Sequence, residues 1–217
     1  MKTRSGENVE LSVLLSESVE RAYKLVAEKN PEFSDAEKQE IAQIVGLGAL
    51  KYADLMQHRM SDTLFSWEKM LAFQGNTAPY LQNAYVRIQS ILRKNSEQSH
   101  VLYISDSVHD IDHKTESEEA RSESFTIKLK CPEERALALQ LLQFAEVVPD
   151  VLIDARPNIL CLALYELANT FHRFYEQCPI LKAEESIKQS RLELAQLTAR
   201  VLKCGLELLG IKVPERM

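Results

Sequence analysis

No apolar run in this chain has the uninterrupted length that a bilayer crossing demands, and no charged-then-apolar leader opens it, so neither a membrane span nor a secretory signal is expected. Cysteine is sparse. Cys131, Cys161, Cys178 and Cys204 lie far apart with no C-x-x-C pair, which excludes the common zinc and dithiol motifs and suits reduced thiols in a cytoplasmic protein. An excess of basic charge is missing as well. The formal net charge is -6, and such a balance argues against indiscriminate binding to DNA or to membrane surfaces, although a local basic patch stays open. Glycine is scarce, and the chain contains no G-x-x-x-x-G-K-[ST], no G-x-G-x-x-G and no G-x-S-x-G. Phosphate cradles and serine hydrolases therefore lack their usual marks.

What is present is helical periodicity. Leu11, Leu15, Val19, Ala22 and Val26 recur at helical spacing until Pro31. Ser34 and Glu37 form a capping-box pattern ahead of Ile41, Ile44 and Val45, and Gly46 and Gly48 then weaken that helix. Around Ala49 to Leu55 and Thr63 to Trp67 the period is poor and aromatics enter, which predicts short strands or irregular packing. After Thr77, a candidate cap, Leu81, Ala84, Tyr85, Ile88 and Leu92 mark a buried stripe. Residues 95–128 are rich in Ser, Asp, Glu and His without a sustained apolar period, as in a flexible acidic insertion. Pro132 opens the next helix, with Leu137, Leu141, Phe144, Ala145 and Val148 inward. Another follows Pro157, with Leu160, Leu164, Leu167, Phe171 and Phe174 inward, and a last long one runs from about Glu184 to Leu209 before Gly210. The expected fold is mainly α: an antiparallel helix bundle over 71–217, preceded over 1–70 by a small mixed α/β element.

The helix after Thr77 carries a second stripe, Tyr80, Asn83, Arg87, Ser90 and Lys94, with Arg93 on a neighbouring face. Guanidinium and ammonium groups pair with phosphates and an aromatic ring stacks on an unpaired base, so the stripe suits RNA; it also describes an ordinary solvated face. Gly75, Asn76 and Thr77 put a glycine-bearing turn and free helix-start amides at the same end. Tyr175 sits near the end of its helix, where a bundle packing role is the plainer alternative. His109 and His113 lie four apart among carboxylates, but no helical pattern supports a metal site there, and none is expected. No paired carboxylates fall in a recognisable pocket, so catalysis by this chain alone is not expected.

Four ordered segments carry a resemblance: LGALKYADL, LFSWEKMLAFQGNTAPYLQNAYVRIQSILRK, LANTFHRFYEQCPIL and SRLELAQLTARVLKCGLELLGIKVPERM. Together they resemble arginyl-tRNA synthetase, a class I synthetase, from just behind its signature loop to its last residue. The resemblance implies an arginine-tRNA ligase that uses ATP, with magnesium, to attach arginine to its tRNA. It further implies that the helical bundle binds the anticodon region, and that Leu11 to about Met70 corresponds to an element packing along the inside of the tRNA. Lys2, Thr3 and Arg4 resemble the remnant of the signature loop. The nucleotide-binding fold is absent, so the chain is expected to be a non-catalytic fragment that holds no cofactor of its own, usually monomeric, with arginine tRNA as partner. Carried over by position, Gly75, Asn76, Thr77, Tyr80, Asn83, Arg87, Arg93, Tyr175 and Met217 are the expected RNA-binding residues. Gln74 stands where the family usually has a carboxylate, and Asn83 where it commonly has tyrosine. A stand-alone RNA-binding module without ligase activity, and a purely protein-binding scaffold, remain as alternatives.

Overall fold

Ser34 and Glu37 form the expected reciprocal cap: the Glu37 amide donates to Ser34 Oγ at 3.3 Å and the Ser34 amide donates to the Glu37 carboxylate at 3.0 Å. This starts the second of seven helices in the computed structural model, which describes residues 10–61, 66–106 and 127–217. The helices are α1 (Leu11–Lys29), α2 (Asp35–Leu55), α3 (Trp67–Met70), α4 (Ala78–Asp106), α5 (Pro132–Asp154), α6 (Pro157–Gln177) and α7 (Glu185–Leu208). No strand occurs among the described residues. The expectation of strands is corrected where residues are described: Ala49 to Leu55 is the last part of α2 and Trp67 starts α3, while residues 63–65 of the other expected stretch lie outside the described residues.

Two apolar clusters organise the chain. The larger joins α4, α5, α6 and α7 through residues such as Leu81, Ile88, Leu137, Phe171 and Leu202, with Tyr52 of α2 at its margin. The smaller lies between α1 and α2 around Ala22, Val26, Ile41 and Val45. Helix α2 runs on through Gly46, where the missing side chain lets α1 come close, since a Cβ there would sit 2.6 Å from the Ser18 carbonyl oxygen. Burial on α1 begins only at Ser18, and Leu11 and Leu15 are exposed beside an apolar groove of about 740 Å³ rimmed by Leu50, Met56 and Met70. On α5 the inward face is Leu137, Leu141, Phe144, Val147 and Val151, rotated so that Ala145 is exposed. Among the described helices α5 is also long and apolar enough, by composition, to cross a membrane, and Leu139, Leu142, Leu152 and Ile153 face outward on it. Helix α4 runs on to Asp106, well into the expected insertion. Polar residues remove a buried stripe without breaking a helix. The rest of that insertion, with His109 and His113, falls outside the described residues, as do Lys2, Thr3 and Arg4.

A buried ion pair ties the bundle together. The Glu134 carboxylate is fully buried, accepts from the Arg191 guanidinium at 2.6 Å and from the Cys131 amide at 3.0 Å, and is also met by the Lys130 amide. Arg191 in turn donates to the Pro179 carbonyl at 2.6 Å. Burial pushes the Glu134 carboxyl up, but those amides and the guanidinium outweigh it, and the net shift is below the usual carboxylate range.

The segment after α7 acts as a strap. Gly210 takes the left-handed conformation, with φ +69, that ends the helix. Lys51 then donates to the Gly210 carbonyl at 2.6 Å, Gln82 to that of Lys212 at 2.8 Å and Arg93 to that of Glu215 at 3.3 Å. Ile211 and Pro214 are buried, and Met217 packs on the α1–α2 cluster.

Two stability effects follow. Glu134→Gln leaves a buried guanidinium without its countercharge and is expected to cost about 3–5 kcal/mol in urea unfolding. Because the folded carboxyl lies below its unfolded value, its contribution is complete above the ordinary carboxylate range and fades as pH falls through the lowered value, so the variant's stability should fall less steeply with acid than the wild type's. Gly46→Ala should lower the urea midpoint by roughly 1–3 kcal/mol of stability with an unchanged slope, because α1 and α2 must move apart.

Candidate nucleic-acid interface

The turn before α4 is built by side chains that the sequence singles out for RNA. Thr77 caps the helix, accepting from the Tyr80 amide at 3.3 Å while its hydroxyl donates to the Ala72 carbonyl at 2.6 Å. Asn76 Oδ1 lies 2.6 Å from the Tyr52 hydroxyl, which also lies 2.9 Å from the Cys161 carbonyl. Burial pushes the Tyr52 hydroxyl far above its ordinary pKa, so it stays protonated. Asn76 thus holds the turn against α2 and, through Tyr52, α6, while Thr77 closes the turn on itself. Gly75 forms its exposed tip, at φ +79 with open space around it.

From this turn α4 presents Tyr80 and Arg87 toward α6. The Tyr80 hydroxyl donates to Asn169 Oδ1 at 2.6 Å and lies 2.7 Å from His172 Nδ1. Its ring is tilted against Tyr165 and His172, with centroids 5.7 and 5.0 Å away. The Arg87 guanidinium lies 5.7 Å over the Tyr175 ring, whose other contact is a stacked Phe171 at 6.2 Å and 23°. Tyr175 is 39% exposed, so a flat ring backed by core and flanked by a cation faces solvent. Burial raises the Tyr80 hydroxyl, with Tyr165 adding to the shift. Burial and the Arg87 charge lower His172, partly offset by Glu176, so the imidazole is neutral at pH 7.

The structure therefore brings Tyr80, Arg87 and Tyr175 into one patch and leaves Asn83 half-buried on the same helix. Two expected residues lie elsewhere. Arg93 is about 20 Å further along α4 from Tyr80 at the helical rise, and Met217 packs against the α1–α2 cluster. Asn169, His172 and Tyr165 are what sequence reasoning missed. Their signal was a second stripe on α6, Tyr165, Asn169, His172 and Glu176, opposite the apolar one.

A further group of donors lies away from this patch. Cys131 Sγ, Cys178 Sγ and the Glu134 carboxylate come within 4.8 Å of one another. The Arg191 guanidinium already occupies that carboxylate and donates to Cys131 Sγ at 3.5 Å, so a cation there would meet a fixed positive charge. The arrangement around Tyr175 can stack on a planar group and pair with an anion; among the described residues nothing in it is a nucleophile with an adjacent base.

Comparison with known proteins gives a consistent result. Residues 81–217 match the DALR anticodon binding domain family, and residues 1–67 match the family of class I (R) tRNA synthetase catalytic domains. An arginine–tRNA ligase of Chromobacterium violaceum is 50% identical over 216 residues, covering all of this chain and 34% of that protein. One from Mannheimia succiniciproducens is 48% identical over the same length and share. Thus the chain spans about a third of the length of these relatives. Among solved structures, the Thermus thermophilus arginyl-tRNA synthetase is similar with a TM-score of 0.78 and 32% identity, over all of this chain and 33% of that one. The Plasmodium falciparum enzyme gives 0.77 and 32%, over 96% of this chain and 34% of that one. With a family match over more than half its length, the chain belongs to the DALR anticodon binding domain family, and along its whole length it is similar to about a third of those arginyl-tRNA synthetases.

Proposed function

We propose that this chain is the tRNA-binding portion of an arginine–tRNA ligase and that the α4–α6 face receives the anticodon loop of arginine tRNA. The observation that carries this is the exposed Tyr175 ring, stacked on Phe171 with the Arg87 guanidinium 5.7 Å over it. A solvent-facing aromatic beside a guanidinium offers an unpaired base a stacking face and its phosphate a countercharge. Gly75 at the tip of the turn leaves room for backbone to approach, while Asn76 and Thr77 keep that turn in place.

Arg93 and Met217 act, in this reading, on the strap: Arg93 holds the Glu215 carbonyl, and Met217 closes the α1–α2 cluster. In this reading the part over 1–70 contacts the tRNA stem and the part over 71–217 its anticodon region, with Tyr52 packed into the larger cluster and Leu71 into the smaller. In the whole ligase, arginine and ATP are substrates joined elsewhere, with Lys2, Thr3 and Arg4 as the remnant of the loop that serves ATP. The described residues supply binding and no chemical step.

Titration of the chain with an arginine anticodon stem-loop tests this. Binding should weaken as salt rises, and Arg87→Gln should reduce the salt slope by about one ion. Tyr175→Ala should cost about 1–3 kcal/mol of affinity in a variant with unchanged helicity. Undiminished affinity in that variant would remove Tyr175 from the site, and no salt-sensitive binding by the native chain would overturn the reading as a whole.

A further inference from the structure

One hydrogen-bonding atom on the α4–α6 face is left over by the protein itself. Tyr80 has a single hydroxyl proton and gives it to Asn169 Oδ1 at 2.6 Å. His172 Nδ1, 2.7 Å from the same oxygen, must therefore be the donor in its contact. A neutral imidazole has one N–H, so the lone pair sits on Nε2. Among the described residues that atom has no hydrogen-bond partner, and it is not among the sealed, unpartnered polar atoms, so it is open to solvent. It belongs to a half-buried ring one helical turn from Tyr175.

An acceptor held in a fixed tautomer beside a stacking ring is a device for reading a base edge. Cytosine presents an amino group where uracil presents an oxygen; the first donates to Nε2 and the second opposes it lone pair to lone pair. Every arginine codon has G at its middle position, so every arginine anticodon has C there. We propose that His172 is a specificity-determining residue that accepts, at Nε2, a hydrogen bond from the exocyclic amino group of the middle anticodon cytosine. Asn169 and Tyr80 are positioning residues that set its tautomer. The inference rests on the α4–α6 face being the anticodon site. The reverse relay, with Asn169 turned to donate to Tyr80 and Tyr80 donating to Nδ1, makes Nε2 a donor and selects uracil instead.

Two measurements on the full chain test this. A nitrogen-15 spectrum of the free protein should show the His172 proton on Nδ1; a proton on Nε2 overturns the proposal. Anticodon stem-loops carrying cytosine, uracil or pyrimidin-2-one at the middle position should then rank with cytosine tightest, by roughly tenfold over each of the others. His172→Phe should bring the three to one affinity. Tyr80→Phe keeps the ring, frees the tautomer and should lower the cytosine-to-uracil ratio several-fold, while Asn169→Asp, an obligate acceptor when ionised, should preserve it. A cytosine-to-uracil ratio unchanged in both His172→Phe and Tyr80→Phe overturns the role of His172 and leaves the anticodon reading standing. Failure of the native chain to bind any stem-loop overturns that reading and this inference with it.

Discussion

The Glu134 carboxylate is a charge in a place without water, and the positions of three chain segments answer to it. A buried carboxylate is tolerable only with its lone pairs occupied and a countercharge in contact. Here the amides that open α5, the guanidinium of α7 and, through that guanidinium, the carbonyl that follows α6 are all drawn to one point. Hydrophobic contacts would let these helices slide; a charge with directed hydrogen bonds does not. The exit of α6 is thereby fixed against α7, and Tyr175 lies on the turn just before that exit.

The recognition face inherits this order. Two helices each bury an apolar stripe in the same core, and their polar stripes are left facing one another across Tyr80, Asn169 and His172. The hydrogen bonds between them freeze side chains before any ligand arrives. Binding to such a surface loses less conformational entropy than binding to loose side chains, so a modest contact area can still discriminate.

Much of this was legible along the chain because helical periods and their stop signals are local. The α6 stripe from Leu160 to Phe174, the Ser34–Glu37 cap, the proline starts of α5 and α6 and the Gly210 end all stand where the spacing puts them. The misses share a cause. Gly46 reads as a helix weakener until Ser18 of another helix is laid against it. Glu134 and Arg191 are separated by 57 residues, and Tyr80 lies 89 and 92 residues from Asn169 and His172, so no window of sequence holds either group.

The strap has a consequence for the order of folding. Lys51 meets the Gly210 carbonyl across 159 residues. At about 5–20 residues per second of synthesis, roughly ten to thirty seconds pass between the emergence of α2 and the arrival of the segment that fastens it. During that interval the α1–α2 hairpin must stand on its own small cluster with part of its apolar surface bare.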